Sequence, residues 1–159
     1  MKLKTKDATY VDYFESPIGL LEVLADDGGV TALRFVEVQQ ACRKSDMTNI
    51  VLEQLAEYFD GTRMEFDLPL AAQGTAFQKR VWKALMDIPA GTTASYSDIA
   101  RMVESPKAVR AVGAANGQNP IGIIVPCHRI IGSNGKLTGY AFGLDKKAWL
   151  LQHEGAILL

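Results

Sequence analysis

SYSDIARMVESPKAVRAVGAANG, residues 95–117, is the stretch that decides the architecture. Ser95 with Asp98 three residues on reads as a helix N-terminus, because a short polar side chain there satisfies backbone N–H groups that have no intrahelical partner. That helix ends near Val103. Ser105 followed by Pro106 repeats the start signal, a cap and then a proline at the first helical position, and the second helix runs to Asn116-Gly117, where glycine accepts a left-handed cap. Two short helices, 97–103 and 106–116, joined by a tight turn resemble a helix-turn-helix. The second carries Lys107 and Arg110 among Ala108, Ala111, Gly113, Ala114 and Ala115. Such a face lets the backbone approach another surface closely, with a lone arginine reaching beyond its neighbours. A tight helix–helix contact inside a core would use the same composition, and both readings stand on these residues alone.

Working toward the N-terminus, Thr75 and Gln78 form a capping-box pair, and Phe77, Val81, Trp82 and Leu85 make the apolar stripe of a helix that ends before Pro89. Asp67 to Gly74 has the proline and glycine of a linker. Ahead of it, Tyr10–Glu15, Leu20–Ala25 and Val30–Val36 are strand-like runs separated by Ser16-Pro17-Ile18-Gly19 and Asp26-Asp27-Gly28-Gly29, which predicts a three-stranded antiparallel meander. A helix over about 49–59 follows, with Leu52, Leu55, Ala56 and Phe59 on one stripe. The fold class is therefore α+β, with an N-terminal α+β domain over 1–73 and a second domain over 74–159. Cys42, among Gln39, Gln40, Arg43 and Lys44, reads as an incidental surface thiol.

The chain has 159 residues, 48% hydrophobic and 22% charged, which excludes disordered, collagenous and coiled-coil classes. No apolar run approaches the roughly 20 residues of a membrane span, and MKLKTKDATY lacks the apolar region of a signal peptide. Two cysteines, 42 and 127, make no disulfide framework. These features point to a reduced, cytoplasmic protein without a membrane role. The net charge of −1 conceals an asymmetry: residues 1–73 carry 7 basic and 13 acidic side chains, residues 74–159 carry 10 and 5. A basic half beside an acidic half suggests that the former meets a polyanion.

The chemistry concentrates in Asn119-Pro120-Ile121-Gly122-Ile123-Ile124-Val125-Pro126-Cys127-His128-Arg129-Ile130-Ile131-Gly132. An apolar run, Ile121 to Val125, delivers Cys127 to its end. Burial alone would make the thiol inert, but the imidazole and guanidinium that follow can stabilise a thiolate or accept its proton. Adjacent side chains on extended backbone face opposite ways, so a Cys127–His128 relay needs a turn or a bridging water. Leu144, Ala148 and Leu151 give a last helical stripe that closes with His153-Glu154-Gly155. An acid in a last turn opposes the helix dipole, a local cost that marks Glu154 as a partner for an imidazole; a solvated surface glutamate is the plain alternative. Cysteine and histidine spacing suits no metal, and no glycine-rich phosphate loop is present, so neither metal nor nucleotide cofactor is expected.

Pro126-Cys127-His128-Arg129, with Asn119-Pro120 before it and Gly139-Tyr140 and His153-Glu154-Gly155 after it, resembles the O6-alkylguanine-DNA alkyltransferases over about 74–155. The resemblance implies a small ribonuclease H-like N-terminal α/β domain, a winged-helix-like helix-turn-helix C-terminal domain that carries DNA binding and the alkyl acceptor, and direct, irreversible transfer of an alkyl group from O6-alkylguanine in duplex DNA to Cys127. It implies His128 drawing the thiol proton through a water, Glu154 polarising that histidine and Asn119 bracing the turn. Tyr96 would help rotate the nucleotide out and donate a proton toward the leaving guanine, and Arg110 would fill the hole in the stack. Lys107, Ala111 and Ala114 would contact DNA with Arg110 and Tyr96, the small residues allowing a close fit into a minor groove about 6 Å wide. Backbone groups near Cys127, Ile130 and Ala141 would hold the base edge in a pocket lined by Tyr140, Phe142 and Asn116. Phe142 stands where many members have glycine, which would narrow access for large substituents such as benzyl; Asn116 stands where some have methionine. The resemblance also implies single use, no cofactor, a monomer without an obligate protein partner, and leaves O4-methylthymine open as a further substrate. Two other classes compete: a lesion-binding protein of the alkyltransferase-like type, which lacks the reactive cysteine, and a cysteine hydrolase using Cys127 and His128.

Overall fold

The structure, a computed structural model, describes residues 9–157. By its internal contacts the chain divides between Gln73 and Gly74 into two compact units.

In the first unit, β1 (Tyr10–Ser16), β2 (Gly19–Asp26) and β3 (Gly29–Val36) form the antiparallel meander, in the order β1-β2-β3. The turn residues act as their chemistry dictates. Ser16 Oγ accepts from Ile18 N–H and donates to Gly19 O, and Asp26 Oδ1 accepts from the N–H groups of Gly28 and Gly29. Gly29 is required by crowding, since a Cβ there would lie 2.4 Å from Pro69 O. One face of the sheet buries Leu21, Val23, Ala25 and Leu33 with Val51, Leu55 and Tyr58 of α1 (Asp46–Asp60). On strand pairs in register, Glu22 accepts from Tyr13 Oη at 2.7 Å and Arg34 Nε at 2.8 Å, so a buried carboxylate is fully paired.

Three expectations shift here. α1 begins at a Ser45–Thr48 capping box, earlier than the apolar periodicity suggests. Its buried face is Val51, Gln54, Leu55 and Tyr58, whereas Ala56 is exposed; the polar Gln54 belongs because its amide makes two bonds to the backbone of Asp67. The segment read as a linker is also partly bonded into this unit, with Val30 N–H donating to Pro69 O and Ala71 N–H to Val30 O.

The second unit holds α2 (Ala76–Leu85), β4 (Ala94–Ser95), α3 (Tyr96–Met102), α4 (Val109–Gly117), a 3₁₀ turn at Cys127–Arg129, β5 (Ile130–Ile131) and α5 (Leu144–His153), with β4 and β5 pairing in parallel. Both predicted capping boxes, Thr75–Gln78 and Ser95–Asp98, are formed. Val81, Trp82 and Leu85 of α2 are buried, and Trp82 Nε1 donates to Ala115 O at 2.8 Å, fixing α2 against α4. Leu150 and Leu151 of α5 join this core with Lys147, while Leu144 is exposed and Ala148 half-buried, so the buried stripe is rotated from the Leu144–Ala148–Leu151 one and shares Leu151 with it.

Ser105 does not cap α4. Its N–H donates to Ala100 O while Glu104 N–H donates to Arg101 O, and Glu104 has φ of 59°. These are the paired bonds of a Schellman motif, so Ser105 finishes α3 rather than starting α4. The chain makes one further turn, Ala108 N–H to Ser105 O, and α4 begins at Val109 with no side-chain cap.

Candidate active site

α4 separates its small residues into two faces. Val112, Ala115 and Asn116 are buried, whereas Arg110, Ala111, Ala114 and Gly117 are exposed, as is Lys107 just before the helix. The exposed set follows a spacing of one, three and three, one side of a helix. The composition thus serves a core contact on one side and an open surface on the other.

Behind α4 lies a pocket of about 390 Å³, within the usual range for small-molecule sites. Tyr96, Asn116, Asn119, Cys127, Tyr140, Ala141 and Phe142 line it, together with Gly113, Gly117 and Gly139. Seven of the sequence-derived site residues are therefore gathered around one cavity. Ile130 is not among its walls; its side chain is fully buried in β5. Arg110, Lys107, Ala111 and Ala114 lie outside the pocket.

Cys127 reaches the pocket through a segment that is not extended. Ile124 N–H donates to Gly122 O, and Cys127 N–H donates to Val125 O, two successive three-residue turns. The central residue of the first, Ile123, has φ of 68°, a conformation β-branched residues rarely hold. Pro126, central in the second, has φ −83° and ψ 63°, which the pyrrolidine ring favours. The Asn119 side chain braces both turns: Nδ2 donates to Val125 O at 2.8 Å and Ile121 O at 3.3 Å, and Oδ1 accepts from Ile121 N–H at 3.0 Å.

The 3₁₀ turn then carries His128 and Arg129 inward. His128 is fully buried, and its Nε2 lies 2.8 Å from Glu154 Oε2. Arg129 donates from Nε and Nη2 to the two oxygens of Glu154 at 2.8 and 3.0 Å, and from Nη1 to Ile88 O at 2.6 Å. Burial alone would raise the Glu154 pKa, but the hydrogen bonds from His128 and Arg129 overcome it and hold the carboxyl down at about 2. Burial lowers the pKa of His128, so its neutral form is favoured. An ionised Glu154 only accepts, which puts the imidazole proton on Nε2 and leaves the Nδ1 lone pair free; Nδ1 is buried without a partner. Glu154 is thus no solvated surface acid, and Arg129, wholly engaged by Glu154 and Ile88, is not available to the thiol.

Burial pushes the Cys127 thiol up, and the Asn119 side-chain hydrogen bond and the Lys147 ammonium pull it back. Lys147 is a participant that the sequence reading missed. It is fully buried, its Nζ donates to Thr138 O at 2.6 Å and Gly139 O at 3.3 Å, and burial lowers its pKa to about 8. Its position three residues before Leu150, on the buried face of α5, was the available signal. Tyr140 stands edge-to-face with Phe142 at 5.6 Å, and burial raises its hydroxyl pKa well above 10. Among the described residues no cluster of histidine, cysteine or acidic side chains has the makings of a metal site, and no helix is long and apolar enough to cross a membrane.

A buried thiol at a pocket wall, followed in sequence by a buried imidazole–carboxylate pair, in a unit that also carries two packed helices joined by a tight turn, fits a class of protein in which a cysteine takes a group from a ligand held in a pocket. Comparison with known proteins identifies which. Residues 9–72 match the family model of the 6-O-methylguanine DNA methyltransferase ribonuclease-like domain, and residues 76–156 that of the 6-O-methylguanine DNA methyltransferase DNA-binding domain. The methylated-DNA–protein-cysteine methyltransferase of Methanosarcina mazei is 48% identical over 152 residues, spanning 91% of this chain and 96% of that protein. The crystal structure of the Mycobacterium tuberculosis O6-methylguanine methyltransferase superposes with a TM-score of 0.84 at 44% identity, covering 93% of each chain. A second M. tuberculosis structure, in complex with DNA, matches with a TM-score of 0.82 at 47% identity over 91% of each chain. The chain belongs to the methylated-DNA–protein-cysteine methyltransferase family.

Proposed function

We propose that the protein repairs alkylated DNA by moving a methyl or small alkyl group from O6 of guanine onto Cys127, once per molecule. The observation that carries this reading is a buried cysteine at a pocket wall, followed in sequence by a buried imidazole that is paired on its Nε2 side with Glu154. His128 Nδ1 takes the thiol proton through a water, Glu154 orients the ring, and Asn119 holds the turns that present the sulfur. The S–C bond forms as the C–O bond breaks, and the purine leaves with the bonding pair and takes a proton from Tyr96. A thioether has no good leaving group, so the protein is consumed and needs no cofactor.

The lesion reaches the pocket by rotating out of the stack, which costs a few kcal/mol and least for a mispaired base. Arg110 fills the space left behind, Ala111 and Ala114 let α4 sit closely in the minor groove, and Lys107 meets a phosphate. Asn116, Tyr140, Ala141 and Phe142 surround the base, with Phe142 setting a limit on substituent size; backbone groups near Cys127, Ile130 and Ala141 hold its edge. The protein acts as a monomer in the cytoplasm. Incubation with duplex DNA containing O6-methylguanine is expected to add one methyl group to the peptide containing Cys127, and Cys127→Ser to accept none. An unmodified intact mass, with the lesion bound but unchanged, would instead support a non-reactive lesion-binding protein.

A further inference from the structure

Tyr96 and Thr138 are 42 residues apart in sequence, the first residue of α3 and the loop before α5, yet Tyr96 Oη and Thr138 Oγ1 lie 3.1 Å apart. Tyr96 lines the pocket and Thr138 is exposed, so the bond sits at the pocket's rim. Thr138 is not left to wander there. The buried Lys147 of α5 donates to its carbonyl at 2.6 Å and to that of Gly139 at 3.3 Å. A cation inside the unit thus holds the backbone from which a surface hydroxyl reaches the phenol.

We propose that Thr138 is a positioning residue whose hydroxyl holds the Tyr96 phenol at the rim and then donates to it while the phenol protonates the departing purine. The proposal rests on the repair reading above, in which Tyr96 serves the leaving base. A hydroxyl has one proton and two acceptor lone pairs. In the empty protein the phenol, the more acidic of the two, donates to Thr138 Oγ1. When a base enters, the phenol proton turns to a purine ring nitrogen, and the Thr138 proton rotates to donate to the phenol oxygen. No heavy atom needs to move. As the C–O bond breaks, the purine takes the phenol proton, the phenolate oxygen accepts from Thr138, and water returns the proton afterwards. A donor aimed at charge that develops only during reaction accelerates chemistry without tightening binding.

The experiment is single-turnover methyl transfer from O6-methylguanine duplex, with DNA concentration varied, for the unsubstituted protein, Thr138→Val, Thr138→Ser and each change in a Tyr96→Phe background. Thr138→Val is expected to lower the maximal rate by about five- to tenfold, the worth of one hydrogen bond, with the half-saturating DNA concentration changed by less than about twofold. Thr138→Ser restores the rate, and in Tyr96→Phe the valine has no further effect. Thermal unfolding of Thr138→Val should match the unsubstituted protein because the side chain is exposed. A valine variant as fast as the parent overturns the proposal, as does a serine variant as slow as valine, or an equal valine effect without the phenol. If the unsubstituted protein accepts no methyl group, the repair reading falls and takes this role with it; an active parent with an indifferent Thr138 removes this role alone.

Discussion

Cys127 sits where burial works against ionisation while Asn119 and Lys147 work for it, and the unit that holds it also encloses buried ions of its own. Glu154 is one. Its carboxyl, held at about 2, is paired to His128 and bidentate to Arg129. A carboxylate whose pKa is lower folded than unfolded contributes stability fully above the unfolded value, near 4.5, and loses it as the pH falls toward 2. Glu154→Gln removes that titration. At neutral pH it should cost about 3–5 kcal/mol, because Arg129 is left buried without a counter-charge, and the gap to the parent should close as the pH approaches 2. Denaturant unfolding at intervals from pH 2 to 7 measures both curves; parallel curves would show that another group carries the acid sensitivity. Cys127, His128 and Glu154 were legible because their residue types are chemically unusual in their settings. Arg129 and Lys147 were not, because a long basic side chain looks the same in sequence whether it snorkels to water or satisfies buried carbonyls.

At the scale of elements, caps were legible where the signal was complete and misleading where it was shared. Thr75–Gln78 and Ser95–Asp98 each present both halves of a reciprocal cap, and both form. Ser105-Pro106 offers only a start signal, and the end of α3 claims the Ser105 N–H first, through a left-handed Glu104 that no glycine announced. The run Ile121–Val125 shows the same limit: its apolar residues say buried, not turned, and the turns come from backbone bonds braced by the Asn119 side chain. Asn119→Asp keeps the acceptor for Ile121 N–H but faces Val125 O with an oxygen. It should destabilise the protein by about 1–3 kcal/mol and slow methyl transfer at neutral pH by placing negative charge beside the thiol. Unfolding together with single-turnover rates tests this; unchanged stability would mean the turns hold themselves. Arg110 behaves oppositely. Exposed on α4, it should tolerate replacement by alanine within about 0.5 kcal/mol, while repair of duplex DNA falls far more than reaction with free O6-alkylguanine, since only the duplex leaves a gap to fill. Equal losses on both substrates would remove the finger role.

For the whole molecule, a net charge of −1 is the least informative number in the sequence, because it averages an N-terminal part of −6 with a C-terminal part of +5. The field a polyanion meets is local, screened within about 8–10 Å in ordinary salt, so the second unit can attract DNA while the whole chain is nearly neutral. Its basic side chains are not all available for this: Arg129 and Lys147 are buried and occupied by Glu154, Ile88, Thr138 and Gly139. On the proposed reading only those cations near α4 face phosphate, and each contributes about 0.9 to the slope of log affinity against log salt. Two or three contacts predict a slope of about −2 to −3, hence a loss of about fifteen- to sixtyfold between 50 and 200 mM salt. Lys107→Ala, which on the proposed reading removes a phosphate contact, should lower the magnitude of that slope by about one. Arg110→Ala should leave the slope almost unchanged while abolishing most duplex repair, because a side chain that replaces a base in the stack displaces few counterions. Fluorescence anisotropy with undamaged duplex across the salt range gives all three slopes; if Arg110 moves the slope and Lys107 does not, their roles on the DNA are exchanged.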